Sequence, residues 1–142
     1  MKSIFVIGAY SNTNKEDLDI YKVIDSYLET LCPEYKIITP FTIENFLNNL
    51  SNHSYEKMVS YDLDCVKKSS LLVADLTNKS TGVGIELGIA KEHNKNIIFL
   101  AKEGSSISNM VLGAFPNYKI HYYQDNKDIY NILNNEVSFF IK

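Results

Sequence analysis

In the segment Ser80-Thr-Gly-Val-Gly-Ile-Glu-Leu-Gly88 a single carboxylate, Glu86, follows two hydroxyls and two glycines. Ser80 and Thr81 are residue types that cap helices. The amides exposed at such a helix start also bind phosphate. Gly82 and Gly84 have no side chain to hold a ligand away from the backbone. A carboxylate near the positive end of a helix is favoured in its ionised form, which is the form that acts as a nucleophile. The chemistry suited to it is attack on a sugar anomeric carbon, giving a glycosyl ester that water or another base resolves.

Such a reaction needs a second acid. Asp62 and Asp64 lie in Ser60-Tyr-Asp-Leu-Asp-Cys-Val66 on a predicted helix. Two residues apart they face different directions, so at most one reaches a common site. Asp75, at the end of a predicted strand, is suited equally to a site and to holding the turn before Thr77. Ser105, Ser106 and Ser108 form another hydroxyl cluster at a further predicted helix start. As a dinucleotide fingerprint, Gly82-Val-Gly-Ile-Glu-Leu-Gly88 fails. Leu87 stands where the third glycine belongs, and the segment follows the third strand rather than the first, although Glu103 lies at a plausible ribose-carboxylate distance.

These residues need a scaffold. Apolar runs at 4–7, 35–39, 70–76, 96–101 and 119–123 predict strands. The middle ones lack polar alternation, as expected of strands buried on both faces. Between them, 15–31 carries Leu18, Tyr21, Ile24, Leu28 and Leu31 on one helical stripe. Further helices are expected at 42–50 with Thr42 as N-cap, 55–69, 80–93, 106–112 and 127–140, with a polar loop at 48–54. Alternating strands and helices predict a doubly wound α/β fold, a roughly five-stranded parallel sheet of Rossmann-like or flavodoxin-like kind. Its ligands belong at the carboxyl ends of the strands, where segments 8–14, 75–84 and 102–108 are rich in Gly, Ser, Thr and Asn.

The 142 residues suit one domain, 1–142. A net charge of −3 argues against long nucleic acid as a partner, because such proteins usually show a basic face. Small phosphorylated ligands stay compatible with it. Cys32 and Cys65 read as free thiols, and the scattered His53, His93 and His121 suggest no zinc site. The start of the chain is too short in apolar residues for a signal peptide. No stretch approaches the roughly 20 apolar residues of a membrane span, so a cytoplasmic protein is expected.

Together, Asp62-Leu, Ala74-Asp-Leu-Thr77, Ser80 to Ala90 and Ser108-Asn-Met-Val-Leu-Gly113 resemble the nucleoside 2-deoxyribosyltransferase superfamily. The resemblance is nearest to its hydrolytic branch, the 2′-deoxynucleoside 5′-monophosphate N-glycosidases. It implies that Glu86 is the nucleophile, that Asp62 assists departure of the base, and that Ser80 and Ser108 bind the 5′-phosphate. It also implies a homodimer in which Ser108 completes the neighbour's site, with no metal or cofactor. The implied binding set is Gly8, Tyr10, Ser80, Gly82, Gly84, Ser108 and Asn109. The transferase branch has Asp and Asn at the two serine positions, for a 5′-hydroxyl. Serine at both favours a monophosphate, since an aspartate would repel it. The expected reaction is hydrolysis of a (deoxy)nucleoside 5′-monophosphate to free base and (deoxy)ribose 5-phosphate. A base-exchanging transferase and a non-catalytic nucleotide sensor are the alternatives.

Two positions depart from the family pattern. Phe5 stands where the family has a tyrosine that hydrogen-bonds the nucleophile, leaving Tyr10 as the nearest substitute. The loop Ala9-Tyr-Ser-Asn-Thr-Asn14 lacks the arginine of the hydrolases, which leaves hydroxyls, amides and Lys79 or Lys102 for the phosphate.

Overall fold

A computed structural model describes residues 1–11, 13–49 and 54–141. Five strands, β1 (Ser3–Ile7), β2 (Lys36–Ile38), β3 (Leu71–Asp75), β4 (Ile97–Lys102) and β5 (Ile120–Tyr123), pair in parallel in the order β2-β1-β3-β4-β5. Six helices complete the order: α1 (Lys15–Leu31), α2 (Pro40–Asn48), α3 (Tyr55–Lys68), α4 (Thr81–Glu92), α5 (Asn109–Ala114) and α6 (Asn126–Phe140). This is the flavodoxin-like α/β arrangement expected from the alternating pattern.

The unbroken apolar runs are explained by two cores, one on each face of the sheet. Phe5, Leu72, Ala74 and Phe99 point to one face, where Val66 of α3 and Val83, Leu87 and Ala90 of α4 pack. Ile4, Val6, Val73 and Leu100 point to the other, against Tyr21, Ile24 and Leu28 of α1 and Ile129, Leu133 and Val137 of α6. Among the described residues no helix is long and apolar enough to cross a membrane. Both cysteines are free thiols.

Two helix starts differ from the expected ones. Thr39, not Thr42, caps α2: Pro40 occupies the first turn, and Thr42 closes a reciprocal capping box from the third position. Proline is at home in a first turn because its missing N–H has no partner to lose there. Helix α5 begins at Asn109, three residues later than expected, and Ile107 ahead of it is buried in the core. Of the expected loop at 48–54, residues 50–53 lie outside the described residues, as do Asn12 and the last residue of the expected 42–50 helix.

The end of β1 is fixed by an aromatic contact. The ring of Tyr21 lies so close to Gly8 that a Cβ there would sit 2.4 Å from Tyr21 Cε1, Cζ and Oη. The Tyr21 hydroxyl donates to the Ala9 carbonyl at 2.6 Å, and burial raises its pKa, so it stays a donor. Gly8→Ala should therefore force the ring or the strand aside and cost roughly 1–3 kcal/mol, measured by denaturant unfolding. An unchanged midpoint would show that the contact does not constrain the strand end.

Candidate functional site

Strands β1 and β3 are neighbours whose helical connections leave in different directions, and ligands bind at such a switch point in open α/β sheets. A cleft of about 800 Å³ opens there, within the size range of small-molecule sites. Its walls come from the loop after β1, from α2, from one face of α3 and from the start of α4. A second cavity of about 480 Å³, lined by Lys2, Cys32, Glu34, Tyr35 and Asn134 among others, lies at the opposite, amino-terminal end of the strands.

Glu86 and Asp62 both line the larger cleft. Helix α4 sends Val83, Leu87 and Ala90 into the core, which turns Glu86, one position before Leu87, onto the flank facing α3. On α3 the buried residue is Val66. Asp62, one helical turn earlier, therefore lies on the same side and meets Glu86. Asp64 is exposed and reaches Lys68 at 4.0 Å, as its spacing from Asp62 demands.

The two carboxyls are hydrogen-bonded to each other, which requires that one carry a proton. Burial, the hydrogen bond that Glu86 donates to Asp62 and the Asp62 charge push Glu86 far above the ordinary carboxyl range. Burial also raises Asp62, with the bond to Glu86 pulling the other way. This corrects the expectation that the helix terminus keeps Glu86 ionised. Glu86 is the sixth residue of α4, beyond the first turn where the helix dipole acts, and desolvation wins. Phe5, 1% exposed, presents an apolar ring to the cleft where a hydroxyl would have supported the charge.

Tyr10 does not make up for it. It lines the cleft, but its hydroxyl donates to Glu44 on α2. The spacing of residues within the loop carried no sign of this partner on another element. Tyr21, legible only as part of an apolar stripe, bonds the loop carbonyl of Ala9 and lies within electrostatic reach of Glu86. Asn78, another cleft residue that the spacing did not single out, donates to Asp17 at 2.9 Å and ties the β3–α4 turn to α1.

Ser80 caps α4 by accepting from the Val83 amide at 3.3 Å. It faces the cleft together with Lys79, Thr81 and Gly82. Gly82 and Gly84 are both inside the helix, which removes the strand-to-helix turn that a dinucleotide fingerprint needs. Gly84 does not line the cleft, and a Cβ there would meet open space. Lys102 reaches Glu16 at 3.3 Å instead of the cleft. Asp75 is 3% exposed and accepts from Tyr123 at 2.6 Å and from the Thr77 amide at 2.9 Å, a turn-holding role. Ser108 and Asn109, at the start of α5, are not brought to the cleft of their own chain. Among the described residues no three His, Cys, Asp or Glu side chains converge as a metal-holding group.

No family model matches the chain. A protein of Nematostella vectensis named as a 2′-deoxynucleoside 5′-phosphate N-hydrolase is 36% identical over 78 residues, which is 52% of this chain and 52% of that protein. The 5-hydroxymethyl-dUMP N-hydrolase of Esox lucius is 40% identical over 55 residues, 37% of this chain and 38% of that one. The chain thus spans about half the length, or less, of the curated relatives it matches. Among solved structures, a CMP N-glycosidase of Clostridium botulinum superposes with a TM-score of 0.65 at 23% identity, over 94% of this chain and 99% of that one. A 2-deoxyribosyltransferase of Bacillus psychrosaccharolyticus gives 0.67 at 21% identity, over 91% and 90%. The structural likenesses show a shared fold. Over about half of the chain the sequence is also similar to nucleotide N-hydrolases.

Proposed function

We propose that this protein is an N-glycosidase that hydrolyses a (deoxy)nucleoside 5′-monophosphate to free base and sugar 5-phosphate. The observation that carries the reading is the pair of hydrogen-bonded carboxyls, Glu86 and Asp62, in a cleft with hydroxyls and a lysine at one end. The names of the relatives, nucleotide N-hydrolases and a CMP N-glycosidase, support the same class.

In the free protein Glu86 holds the proton that the pair shares. Attack requires it on Asp62, and the hydrogen bond between them is the path for that transfer. The Glu86 carboxylate then attacks the anomeric carbon while the bond to the base breaks, and Asp62 gives its proton to the departing base. Water attacks the resulting glycosyl ester, Asp62 takes a proton from the water, and Glu86 leaves as carboxylate. One carboxyl acting as nucleophile while the other switches from acid to base is the pattern of retaining glycoside hydrolysis. Ser80, whose oxygen accepts the cap bond, keeps its O–H to donate to the phosphate, and Lys79 supplies charge. Ser108 and Asn109 enter this reading from a second copy. Exposed Met110 and Leu112 on the same helix (84% and 45%) support burial of that face in a homodimer.

With a panel of ribo- and deoxyribonucleoside monophosphates, the wild type should release free base. Glu86→Gln should lower the rate by more than about 10³-fold, and Asp62→Asn by about 10²–10⁴-fold. A protein that binds a nucleotide yet frees no base from any of them is not an N-glycosidase. A release rate that rises with an added acceptor base would instead mark a transferase.

The same pair sets a pH signature in stability. Glu86 binds its proton more tightly in the folded chain than at its ordinary value of 4.5. Stability therefore falls as pH rises above that value, because the folded state has more protons to lose. Glu86→Gln, neutral at every pH, should flatten the slope and stabilise the protein at pH 8 by about 1–3 kcal/mol. Identical slopes in denaturant titrations of both proteins would show that the carboxyl is not held protonated.

The dimer has its own test by complementation. Glu86→Gln and Ser108→Ala proteins, each impaired alone, should regain activity when unfolded and refolded together, since a mixed dimer keeps one intact site. A mixture no more active than its parts would leave Ser108 outside the site.

A further inference from the structure

The cleft is polar at one end and apolar at the other. Asn78, Lys79, Ser80 and Thr81 form the polar end, while Ile43, Leu47, Met58 and Val59 of α2 and α3 form an apolar wall. A nucleotide attacked at its anomeric carbon must straddle the carboxyl pair, with the phosphate on one side and the base on the other. The phosphate belongs with the lysine and hydroxyls, so the planar base lies along the α2–α3 wall. Among the described residues, Glu44 is the one acid lining the cleft besides the pair. The Tyr10 hydroxyl donates to Glu44 Oε2, and the Tyr10 ring packs edge-on against Phe41 at 5.4 Å between centroids. Both residues are thus held across the mouth of the cleft, between the β1 loop and α2.

A carboxylate is acceptor-only and offers about four lone-pair sites, of which Tyr10 takes one. The bond to Glu44 pushes the Tyr10 pKa up to about 12, so at neutral pH the phenol stays the donor. We propose that Glu44, fixed by Tyr10, selects the nucleobase: it accepts from the exocyclic amino group of cytosine or adenine and rejects bases with a carbonyl oxygen at that place, such as uracil or hypoxanthine. A carbonyl there sets two acceptors against each other and leaves the carboxylate without its donor. Charged hydrogen bonds of this kind are worth about 10- to 100-fold in affinity. The inference rests on the nucleotide reading given above.

The test uses paired nucleotides that differ only in amino against oxo: CMP with UMP, AMP with IMP, and their deoxy forms. Binding to Glu86→Gln protein, which should hold its ligand uncleaved, is measured by calorimetry, with base release by the wild type in parallel. The amino member should bind about 10- to 100-fold more tightly. Adding Glu44→Gln, which retains an acceptor for Tyr10 but brings its own donors, should bring the ratio to within a few-fold, mainly by weakening the amino member. Tyr10→Phe should reduce the ratio partially. A purely structural role for Glu44 would weaken both members equally, and that result, an unchanged ratio, or an oxo preference in the parent would overturn the proposal. Nucleotide binding with a Glu44-dependent ratio but no base release would sink the glycosidase reading alone. Base release with a ratio indifferent to Glu44 would sink the selector alone, and no binding of any member would sink both.

Discussion

Two acids forced together in a place short of water cannot both be ionised, and the site is organised around that constraint. Glu86 and Asp62 come from different helices, α4 and α3, which meet because both bury apolar residues on the same face of the sheet. Their contact makes one proton common property. A lone buried carboxylate would need an external charge to steady it, whereas a pair can hold a proton and pass it across a short bond. In the proposed reaction the nucleophile and the acid–base group then belong to one unit. The cost falls on stability, as it often does at functional sites.

The remaining features follow from that unit's surroundings. Phe5 presents no hydroxyl to the pair, so Glu86 depends on Asp62. Gly8, pressed by Tyr21, keeps β1 ending where its loop turns over the cleft. Tyr10 and Glu44 tie that loop to α2, and Asn78 with Asp17 ties the opposite wall to α1. The cleft is thus framed by side-chain bonds between elements that the sheet alone would leave unconnected.

The sheet and most helices were legible because local patterning decides them. The apolar runs at 4–7 and 70–76 admit one interpretation in a chain of alternating elements, and the helix read at 15–31 from the stripe of Leu18 to Leu31 is α1. Thr39 was passed over as a cap because Thr42 is also a capping residue type, and only reciprocal bonds show which position each takes. Of the site, Glu86 and Ser80 stood out in the motif, the family resemblance chose Asp62 over Asp64, and the structure brings all three to one cleft. The protonation of Glu86 could not be found, because helix position is written in sequence and desolvation by distant residues is not. Glu44, Asn78 and Tyr21 were illegible for the same reason: each acts through a partner on another element. Ser108 lies away from the cleft of its own chain, and its assigned role needs a second one.

The most direct measurement is the mass of the intact protein, acid-quenched during turnover of a slow 2′-fluorinated nucleoside monophosphate, followed by peptide mapping. The account predicts one added pentose phosphate, lost on standing, located on Glu86 and absent from Glu86→Gln. Base release by a protein that never carries the sugar, or carries it on another residue, would contradict it.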